Sequence, residues 1–517
     1  MATANILLDA LAQVLTPEVM LMVFVGVVFG FIIGVIPGLG PVIGIVLLFP
    51  LTIAMDPLPA VVLLASVYPA GVYGGSVTAV LINTPGDPSS TVTTFDGYPM
   101  TKRGDGVLAL GVTLASSIIG GVLSVLALLL IAPPFARIAL QIGPSIVFAI
   151  GLAGVVILVI VSRGSMLKGL VASAFGLLLS VVGYSSFRGV ERFTFGVDYL
   201  EQGIPMIPLI VGLFAISEAM MLLYQGGSIE EDKEGSERSP ETSPDKNILR
   251  RRLQDMNRGI LETLRRPASV LRSSSIGIAI GLVPGAGSIV ANFVSYYVGR
   301  TFSKRGDEFG TGAIEGLIAA ESSNNAATAA TLIPTLVLGV PGGIAAAILL
   351  GVLQLKNIRV GPQLFVETPE LAYGVVLALL FANIVMLFVG YSLSSLIKNI
   401  VEIRVEIIAP MIVILAILGG FANNFSGIDS IAVIIFGILG FAMRKLGYSP
   451  ISVVFGFILG PILETYYLRA VQAAGGDQLA VIFAPIPATI IGVAGLVLVY
   501  QLISEVKDIR RRVNIGN

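Results

Sequence analysis

The motif Gly34-Val-Ile-Pro37-Gly38-Leu39-Gly40-Pro41 interrupts a long apolar stretch, and a similar motif, Gly281-Leu-Val-Pro284-Gly285-Ala286-Gly287-Ser288, interrupts another one later in the chain. Proline removes a backbone donor, and glycine leaves the backbone uncovered by a side chain. Both motifs therefore predict a break in a helix. Backbone groups that a break sets free at membrane depth are tolerated only inside protein or along a water-filled cavity.

Each half of the sequence carries a second break further along. These breaks are Leu81-Ile-Asn83-Thr84-Pro85-Gly86 and Leu338-Gly339-Val-Pro341-Gly342-Gly343. The proline of the first break recurs after 247 residues and that of the second after 256, so the spacings differ by nine. Matched interruptions indicate an internal repeat, and in duplicated transporters they point to a site at the repeat interface. The alternative is a set of kinks in closely packed helices, but two matched pairs favour a shared cavity.

Apolar windows without a charged residue predict the membrane spans, because a helix needs about 20 apolar residues to cross the hydrocarbon core. Of the 517 residues, 55% are hydrophobic and only 12% are charged, and the mean hydropathy is +0.93, far outside the soluble range. We predict about twelve transmembrane helices with additional half-membrane segments. The windows are 19–55, 57–86, 106–136, 138–162, 169–187, 202–217, 273–299, 322–355, 371–397, 407–428, 430–443, 446–463 and 479–504.

One long hydrophilic stretch, Gly226 to Arg272, separates the two series of windows. Its first part, 228–245, is acidic, and its second part is rich in arginine. Short basic stretches beside a span stay on the cytoplasmic side. The linker and the C-terminus, which contains Arg510, Arg511 and Arg512, are therefore expected in the cytoplasm.

The predicted fold class is an all-α polytopic membrane protein with two homologous repeats that contain broken or re-entrant helices. We expect the repeats to be inverted, although loop charges alone do not fix their relative orientation. The predicted domains are a first transmembrane repeat (1–225), a cytoplasmic charged linker (226–272) and a second transmembrane repeat with the basic C-terminus (273–517).

The composition excludes several kinds of chemistry. The chain has no His and no Cys, which excludes imidazole or thiolate catalysis, His/Cys zinc sites and disulfides. A net charge of −1 gives no support for nucleic acid as a partner. The absence of a P-loop pattern argues against built-in ATP drive. We therefore expect the chain not to be an enzyme.

Polar residues are concentrated around the breaks. Paired Asn side chains at membrane depth are costly unless their amide groups are needed, because they bring donors and acceptors that must be paired. For Asn324 and Asn325, the alternative is a polar clamp between two helices. We interpret Asn423 and Asn424 as part of a loop and Glu218 as a helix end. The polar residues at the breaks include Asp87, Ser89, Ser90, Asn324 and Asn325.

Longer motifs extend from the breaks. They are Tyr73-Gly-Gly-Ser76, Asn83-Thr-Pro-Gly86, Asp96-Gly-Tyr-Pro99, Phe309-Gly-Thr-Gly-Ala-Ile-Glu-Gly316, Glu321-Ser-Ser-Asn-Asn-Ala326, Leu338-Gly-Val-Pro-Gly342, Leu459-Gly-Pro-Ile-Leu-Glu464, Arg469 and Gly475-Gly-Asp477. Together, from about Gly26 to Pro485, they resemble the large membrane subunit of the tripartite tricarboxylate transporters, the TctA type. One departure is Ala319-Ala-Glu-Ser-Ser323, where the family pattern has an Ala-Pro-Glu-Ala run, and it leaves the local helix start open.

The resemblance implies a secondary active transporter in the bacterial inner membrane. Its implied activity is import of a small di- or tricarboxylate with Na⁺ or H⁺ coupling. The implied partners are a small four-helix membrane subunit and a periplasmic substrate-binding protein. No cofactor is expected apart from bound Na⁺.

Physical chemistry agrees with coupling, because a carboxylate entering a negative cytoplasm works against about 2.3 kcal/mol per charge per 100 mV. The charge-free windows contain no Lys or Arg, so helix N-termini and neutral donors must hold the carboxylate. The expected substrate contacts are Asn83, Thr84, Pro85, Gly86, Ser89, Ser90, Asn324, Asn325, Gly339, Pro341 and Gly342. The candidate Na⁺ ligands are Gly38, Gly40, Asp87, Gly285 and Gly287.

Two other functions fit parts of the sequence. A channel or exporter for organic anions would use the same cavity without a cation gradient, and vesicle uptake with and without sodium separates it from a symporter. A membrane enzyme would need Glu315, Glu321 and Asp87 as an acid–base set. The lack of His and Cys and the repeat both disfavour the enzyme.

Overall fold

The computed structural model describes residues 2–161, 166–185, 189–224, 248–393 and 405–515. The acidic stretch 228–245 lies outside these residues. The described chain is almost entirely helical, as predicted. A short antiparallel hairpin of β1 (Gly183–Ser185) and β2 (Val190–Arg192) is the exception among the described residues.

The first half of the chain contains eleven helices among the described residues. A 3-10 turn, Phe49–Ala54, follows α3, another, Pro88–Thr91, precedes α5, and a π-helical turn, Gly212–Ile216, joins α10 to α11. The helices are α1 (Ala2–Val14), α2 (Pro17–Val35), α3 (Gly40–Leu48), α4 (Pro57–Ile82), α5 (Thr93–Lys102), α6 (Gly106–Ala139), α7 (Pro144–Val161), α8 (Met166–Ser180), α9 (Asp198–Glu201), α10 (Met206–Val211) and α11 (Ser217–Tyr224).

The second half begins with an amphipathic helix within the predicted linker. The helices are α12 (Ile248–Leu264), α13 (Pro267–Gly281), α14 (Gly287–Phe302), α15 (Ile314–Ala330), α16 (Leu332–Leu338), α17 (Ile344–Leu355), α18 (Leu364–Glu367), α19 (Pro369–Leu393), α20 (Val405–Asn424), α21 (Gly427–Lys445), α22 (Pro450–Ala473), α23 (Gln478–Phe483) and α24 (Pro485–Ile515).

Eight helices of the described chain are long and apolar enough to cross a membrane, which makes this a multi-pass membrane protein. The predicted count of about twelve spans is not reached by full-length helices. The breaks explain part of the difference, because they divide single apolar windows into shorter helices. The described parts of α7, α8 and α20 are also shorter apolar helices, although no break divides them. The window 19–55 contains α2, α3 and a 3-10 turn. The window 322–355 contains the end of α15, followed by α16 and α17.

The first pair of breaks has the same backbone form in both halves. Helix α2 ends at Val35 and α3 begins at Gly40, while α13 ends at Gly281 and α14 begins at Gly287. Two glycines in each break have positive φ, with values of 84° and 64° in the first half and 79° and 64° in the second. These are left-handed conformations that glycine adopts at little cost. They are Gly38, Gly40, Gly285 and Gly287.

The second pair of breaks also matches in conformation. The C-terminus of α4 is capped by Asn83, whose φ is 57°, and that of α16 is capped by Gly339, whose φ is 71°. Each of these left-handed residues stands two positions before the proline of the Pro-Gly motif. Asn is one of the few residues other than Gly that adopts this conformation readily. The repeat is therefore visible in the backbone as well as in the sequence.

Each half packs the helix before its first break in parallel against a later long helix. A Cβ atom added at Gly26 or Gly34 would lie 2.4 or 2.2 Å from the carbonyl oxygen of Leu63 or Gly71, respectively, on α4. In the second half, a Cβ at Gly277 would lie 2.4 Å from Ser323 O on α15. Glycine at these positions permits the close approach of two helix backbones.

The two halves meet along α6 and α15. A Cβ at Gly120 of α6 would lie 2.2 Å from Ser322 O of α15, so these helices are also in backbone contact. The linker helix α12 packs on the beginning of α6, where a Cβ at Gly111 would lie 2.3 Å from Met256 O. The apolar core is continuous across both halves. The predicted boundaries at residues 225 and 272 stay a prediction.

Candidate functional site

The two breaks of the first half lie against each other. The Gly86 amide donates to Gly75 O over 3.2 Å, and a Cβ at Gly86 would lie only 2.1 Å from Gly34 O. A Cβ at Gly40 would lie 3.1 Å from Asp87 Oδ1. The Asp87 carboxylate is thus held beside the left-handed glycine of the first break.

Asp87 begins the 3-10 turn Pro88–Thr91 as its N-cap. Its Oδ2 accepts a hydrogen bond of 3.0 Å from the Ser89 amide and another from the Ser89 hydroxyl. Ser90, one residue further, shares a hydrogen bond of 3.2 Å with the Ser76 hydroxyl of α4. These contacts fold the segment after Pro85 back against α4.

The two breaks of the second half are joined in the same way. Gly343 lies next to the first break, because a Cβ there would be 3.7 Å from the Cα of Gly287. The Gly342 amide donates to Thr335 Oγ1 over 3.1 Å, and a Cβ at Gly342 would lie 2.5 Å from Thr331 O. The turn between α16 and α17 therefore returns onto the beginning of α16.

Contacts between the halves bring the four breaks into one junction. The Tyr68 side chain of α4 interacts with the Ser288 and Thr331 side chains and lies close to Asp87. The Asn292 amide of α14 donates to Ser89 O, and Asn292 Oδ1 accepts a bond of 3.1 Å from the Ser323 hydroxyl. We call this region, from Tyr68 and Asp87 to Ser288, Asn292 and Thr331, the break junction.

Two adjacent asparagines of α15 face the interior of the same bundle. Asn324 and Asn325 are fully buried. The Asn325 amide donates to Pro69 O of α4 over 3.3 Å. Within the described residues, Asn325 Oδ1 and both amide atoms of Asn324 have no hydrogen-bond partner. An unpaired buried amide costs about 1–3 kcal/mol, so these atoms are suited to bind a polar ligand or water.

Comparison with known proteins identifies the family of this chain. The model of the Tripartite tricarboxylate transporter TctA family matches residues 20–455. The chain belongs to the TctA family. It is therefore a subunit of a tripartite tricarboxylate transporter, and the family is one of transporters rather than enzymes. The resemblance found from the motifs is confirmed, although the motifs between Leu459 and Asp477 lie beyond the matched range.

Two curated relatives come from Agrobacterium vitis. One, named "Uncharacterized 52.8 kDa protein in TAR-I ttuC' 3'region", is 34% identical over 499 residues, which cover 96% of each chain. The other, named "Uncharacterized protein in TAR-II ttuC' 3'region", is 33% identical over 237 residues, or 46% of this chain and 98% of the relative. No solved structure is a significant match to this TctA-family chain.

The predicted substrate contacts fall into three groups. Ser89, Ser90, Asn324 and Asn325 are fully buried. Asn83 is exposed, and Thr84 and Pro85 are partly buried. Gly86, Gly339, Pro341 and Gly342 form the backbone of the two second breaks and are buried.

The predicted sodium ligands also differ in exposure. Gly40 and Gly285 are buried, Gly287 and Asp87 are partly buried, and Gly38 is exposed. The prediction from sequence therefore combined buried residues with exposed ones, because the spacing of residues along the chain does not show which of them are buried.

The three carboxylates that an enzyme would need as an acid–base set have different hydrogen-bond partners. Glu315 accepts a hydrogen bond from Ser303, and Asp87 is engaged by Ser89. Glu321 accepts hydrogen bonds from Thr93 and Ser117. No group of three His, Cys, Asp or Glu residues in the described chain is placed to hold a metal ion.

Two further polar features concern the predictions for Asn424 and Glu218. Asn424 donates to Asp429 Oδ2 over 2.9 Å, and Tyr199 donates to Asp429 Oδ1 over 2.6 Å. Asn423 and Asn424 are the last two residues of α20, so the interpretation of this pair as part of a loop is wrong: the loop begins one residue later. Glu218 lies inside the continuous helix Met206–Tyr224 and not at a helix end, so that prediction is wrong. It forms an ion pair with Arg444 of α21 and lies beside the first break, where a Cβ at Gly38 would be 3.6 Å from its Oε1.

Sequence reasoning missed Asn292 and the contacts of Glu321. Asn292 is one of several polar residues along α14, and no motif around it distinguished it from the others. Glu321 is the only charged residue between Gly316 and Ala330, and that isolation was the available signal.

Proposed function

We propose that this TctA-family chain imports a small di- or tricarboxylate with cation coupling and binds it at the break junction. The observation that carries the proposal is the fully buried Asn324, both of whose amide atoms lack a partner within the described chain. It belongs to the bundle in which four helix breaks converge. Breaks of this kind free backbone amides and carbonyls at a repeat interface, where secondary transporters bind substrate.

The chemistry of the junction suits an anion without a basic side chain. Hydrogen bonds to a charged group contribute about 1.5–3 kcal/mol each. The Asn324 amide is a neutral donor of this kind that has no partner within the described chain. The hydroxyls of Ser89 and Ser90 and the amides of Gly86 and Gly342 would join it by exchanging their present hydrogen bonds for bonds to the substrate. Four or five such bonds replace much of the hydration of one carboxylate.

We propose that the first breaks bind the coupling cation. Sodium prefers oxygen ligands, and interrupted helices supply backbone carbonyls for this purpose. The Asp87 carboxylate beside Gly40 adds a negative charge on the first-half side. The residues proposed as ligands are Gly38, Gly40, Asp87, Gly285 and Gly287.

The contacts at the helix ends support an inverted arrangement of the repeats. Lys356, just after α17, donates to the carbonyls of Ile53 and Met55, just before α4. At the other end of the bundle, Arg103 donates to Gly312 O over 2.8 Å. Arg103 lies just after α5, and Gly312 lies just before α15. Helices α4 and α15 therefore start from opposite ends of the bundle. Because α2 runs parallel to α4 and α13 parallel to α15, we infer that the two broken pairs enter from opposite sides.

The partners and the location remain part of the proposal. A small four-helix membrane subunit and a periplasmic binding protein would complete the transporter in the bacterial inner membrane. The basic linker and C-terminus would then lie in the cytoplasm, following the charge rule. The family membership supports a multi-component assembly.

Uptake by membrane vesicles tests this function. Vesicles from cells that express the full chain with its neighbouring genes would be given radiolabelled citrate or succinate, with an imposed cation gradient or without one. Accumulation that requires the gradient is expected. Equilibration at the same rate without any gradient would instead identify a channel or exporter.

A further inference from the structure

Glu321 is a carboxylate buried between the two halves and held only by hydroxyl groups. It lies in the middle of α15 and is fully buried. Thr93 of α5 donates to its Oε1, and Ser117 of α6 donates to its Oε2 over 2.9 Å. Ser76 of α4 also interacts with it. Three hydroxyls of the first half thus surround one carboxyl of the second half.

No basic side chain of the described residues forms an ion pair with Glu321. Glu315 and Asp96 are engaged elsewhere, since Glu315 accepts from Ser303 and Asp96 accepts from Tyr296 and from the amides before α15. Arg272 of α13 has no hydrogen-bond partner for its Nε and Nη2 atoms among the residues that the structure describes. The titratable or charged residues on the elements packed against α15 are Tyr68, Tyr73, Asp87, Asp96, Tyr98, Lys102, Arg137, Arg250, Arg251, Arg252, Asp255, Arg258, Glu262, Arg272, Tyr296, Tyr297 and Arg300.

We propose that Glu321 is a proton-binding site whose occupancy changes during the transport cycle. A buried carboxylate without a counter-charge is unfavourable and takes up a proton instead. A hydroxyl group both donates and accepts, so Thr93, Ser117 and Ser76 can bond both the ionised and the protonated carboxyl, with the stronger bonds to the ionised form. The site is thus built for both protonation states.

The surroundings favour a proton over a metal ion. Sodium needs several oxygen ligands, and backbone carbonyls supply them where a helix is broken. Glu321 stands seven residues into α15, an uninterrupted helix from Ile314 to Ala330, whose carbonyls are used by its own hydrogen bonds. The cation ligands proposed above belong to the breaks and do not include Glu321.

A chain of contacts connects this carboxyl to the break junction. Ser76, which interacts with Glu321, also shares a hydrogen bond with Ser90 in the segment after the second break. On the other side, Ser323 of the same helix bonds Asn292, which in turn bonds Ser89 O. Protonation of Glu321 therefore changes the interactions across the interface at which the substrate is proposed to bind. This inference rests on the proposed transport function and adds a proton to the ions that are coupled to transport.

Vesicle accumulation of radiolabelled citrate and succinate tests the site under a pH gradient and a sodium gradient applied separately. In the wild type, each coupled proton raises accumulation by about tenfold per pH unit of gradient, inside alkaline. Glu321→Gln should remove this response, so that accumulation with and without the pH gradient becomes equal. Glu315→Gln, on the same helix but bonded to Ser303, should keep the wild-type response.

A second variant separates a proton site from a packing role. Ser117→Ala keeps the carboxyl but removes a donor that favours its ionised form. The pH midpoint of uptake should move upwards by about one pH unit. An unchanged midpoint, or a wild-type response in Glu321→Gln, would overturn the proposal. Accumulation driven by sodium alone would overturn the proton site and leave transport intact, whereas a wild type that accumulates neither acid would refute transport itself.

Discussion

The side-chain amide of Asn292, in the second half of the chain, donates a hydrogen bond to the backbone carbonyl of Ser89, in the first half. Asn292 is fully buried, and its own Oδ1 accepts from Ser323. One amide thus connects the segment after the second break of one repeat to two helices of the other. This contact fixes the two repeats relative to each other at the proposed site.

Replacement of Asn292 should therefore impair transport. Asn292→Ala leaves the Ser323 hydroxyl and the Ser89 carbonyl with one partner fewer, at a cost of about 1–3 kcal/mol. We expect a lower thermal midpoint in detergent and at least about tenfold slower uptake. Asn292→Asp, which keeps the acceptor but removes the donor, should show the same loss, and full activity of this variant would contradict the contact.

The two adjacent asparagines should behave differently. Asn324 makes no hydrogen bond to the described protein, whereas Asn325 donates to Pro69 O. Asn324→Ala should weaken substrate affinity without lowering the thermal midpoint, because it removes an unpaired buried group. Asn325→Ala should cut uptake and lower the midpoint by about 4 °C or less. Full uptake by Asn325→Ala with normal expression would leave that residue a packing clamp only.

Close backbone contacts at the breaks predict intolerance of even a methyl group. A Cβ at Gly86 would lie 2.1 Å from Gly34 O, and one at Gly34 would lie 2.2 Å from Gly71 O. Gly86→Ala and Gly34→Ala should each abolish uptake and reduce the yield of folded protein. Gly492→Ala is the matched control, since nothing lies within 4 Å of a Cβ there. Equal behaviour of the three variants by size-exclusion chromatography would contradict the packing.

The left-handed caps of α4 and α16 can be tested by exchange of residue type. Asn83→Gly keeps the conformation and should be tolerated. Gly339→Ala should destabilise by about 1–2 kcal/mol, because an L-residue with a Cβ is strained at positive φ. Gly339→Asn should recover much of this loss in thermal unfolding. A fully stable Gly339→Ala would show that the break adopts another conformation.

The sequence predicted the positions of the helix breaks and their pairing. Proline and glycine act locally, so Pro37, Pro85, Pro284 and Pro341 could be interpreted without knowledge of the tertiary structure. Which spans are full-length could not be predicted, because a charge-free window does not reveal where a break divides it. The helix start left open near Ala319 proved unproblematic, as α15 begins at Ile314 and continues to Ala330.

The candidate site was less accessible to sequence reasoning. Glu321 meets Thr93 across 228 residues and Ser117 across 204 residues, and no local pattern encodes such contacts. The exposure of Asn83 and the burial of Ser90 likewise depend on how the two halves pack. Residue types near the breaks therefore indicated the kind of site, while its composition required the tertiary structure.

Equilibrium binding of radiolabelled citrate and succinate to the purified full chain tests the central claim most directly. The wild type should bind one of these acids, and Asn324→Ala should bind it at least about tenfold more weakly. Asn424→Ala is the control. It removes an amide that donates to Asp429 near the turn between α20 and α21, and it should retain wild-type affinity. Wild-type binding by Asn324→Ala, or no binding by the wild type, would contradict a carboxylate site at the break junction.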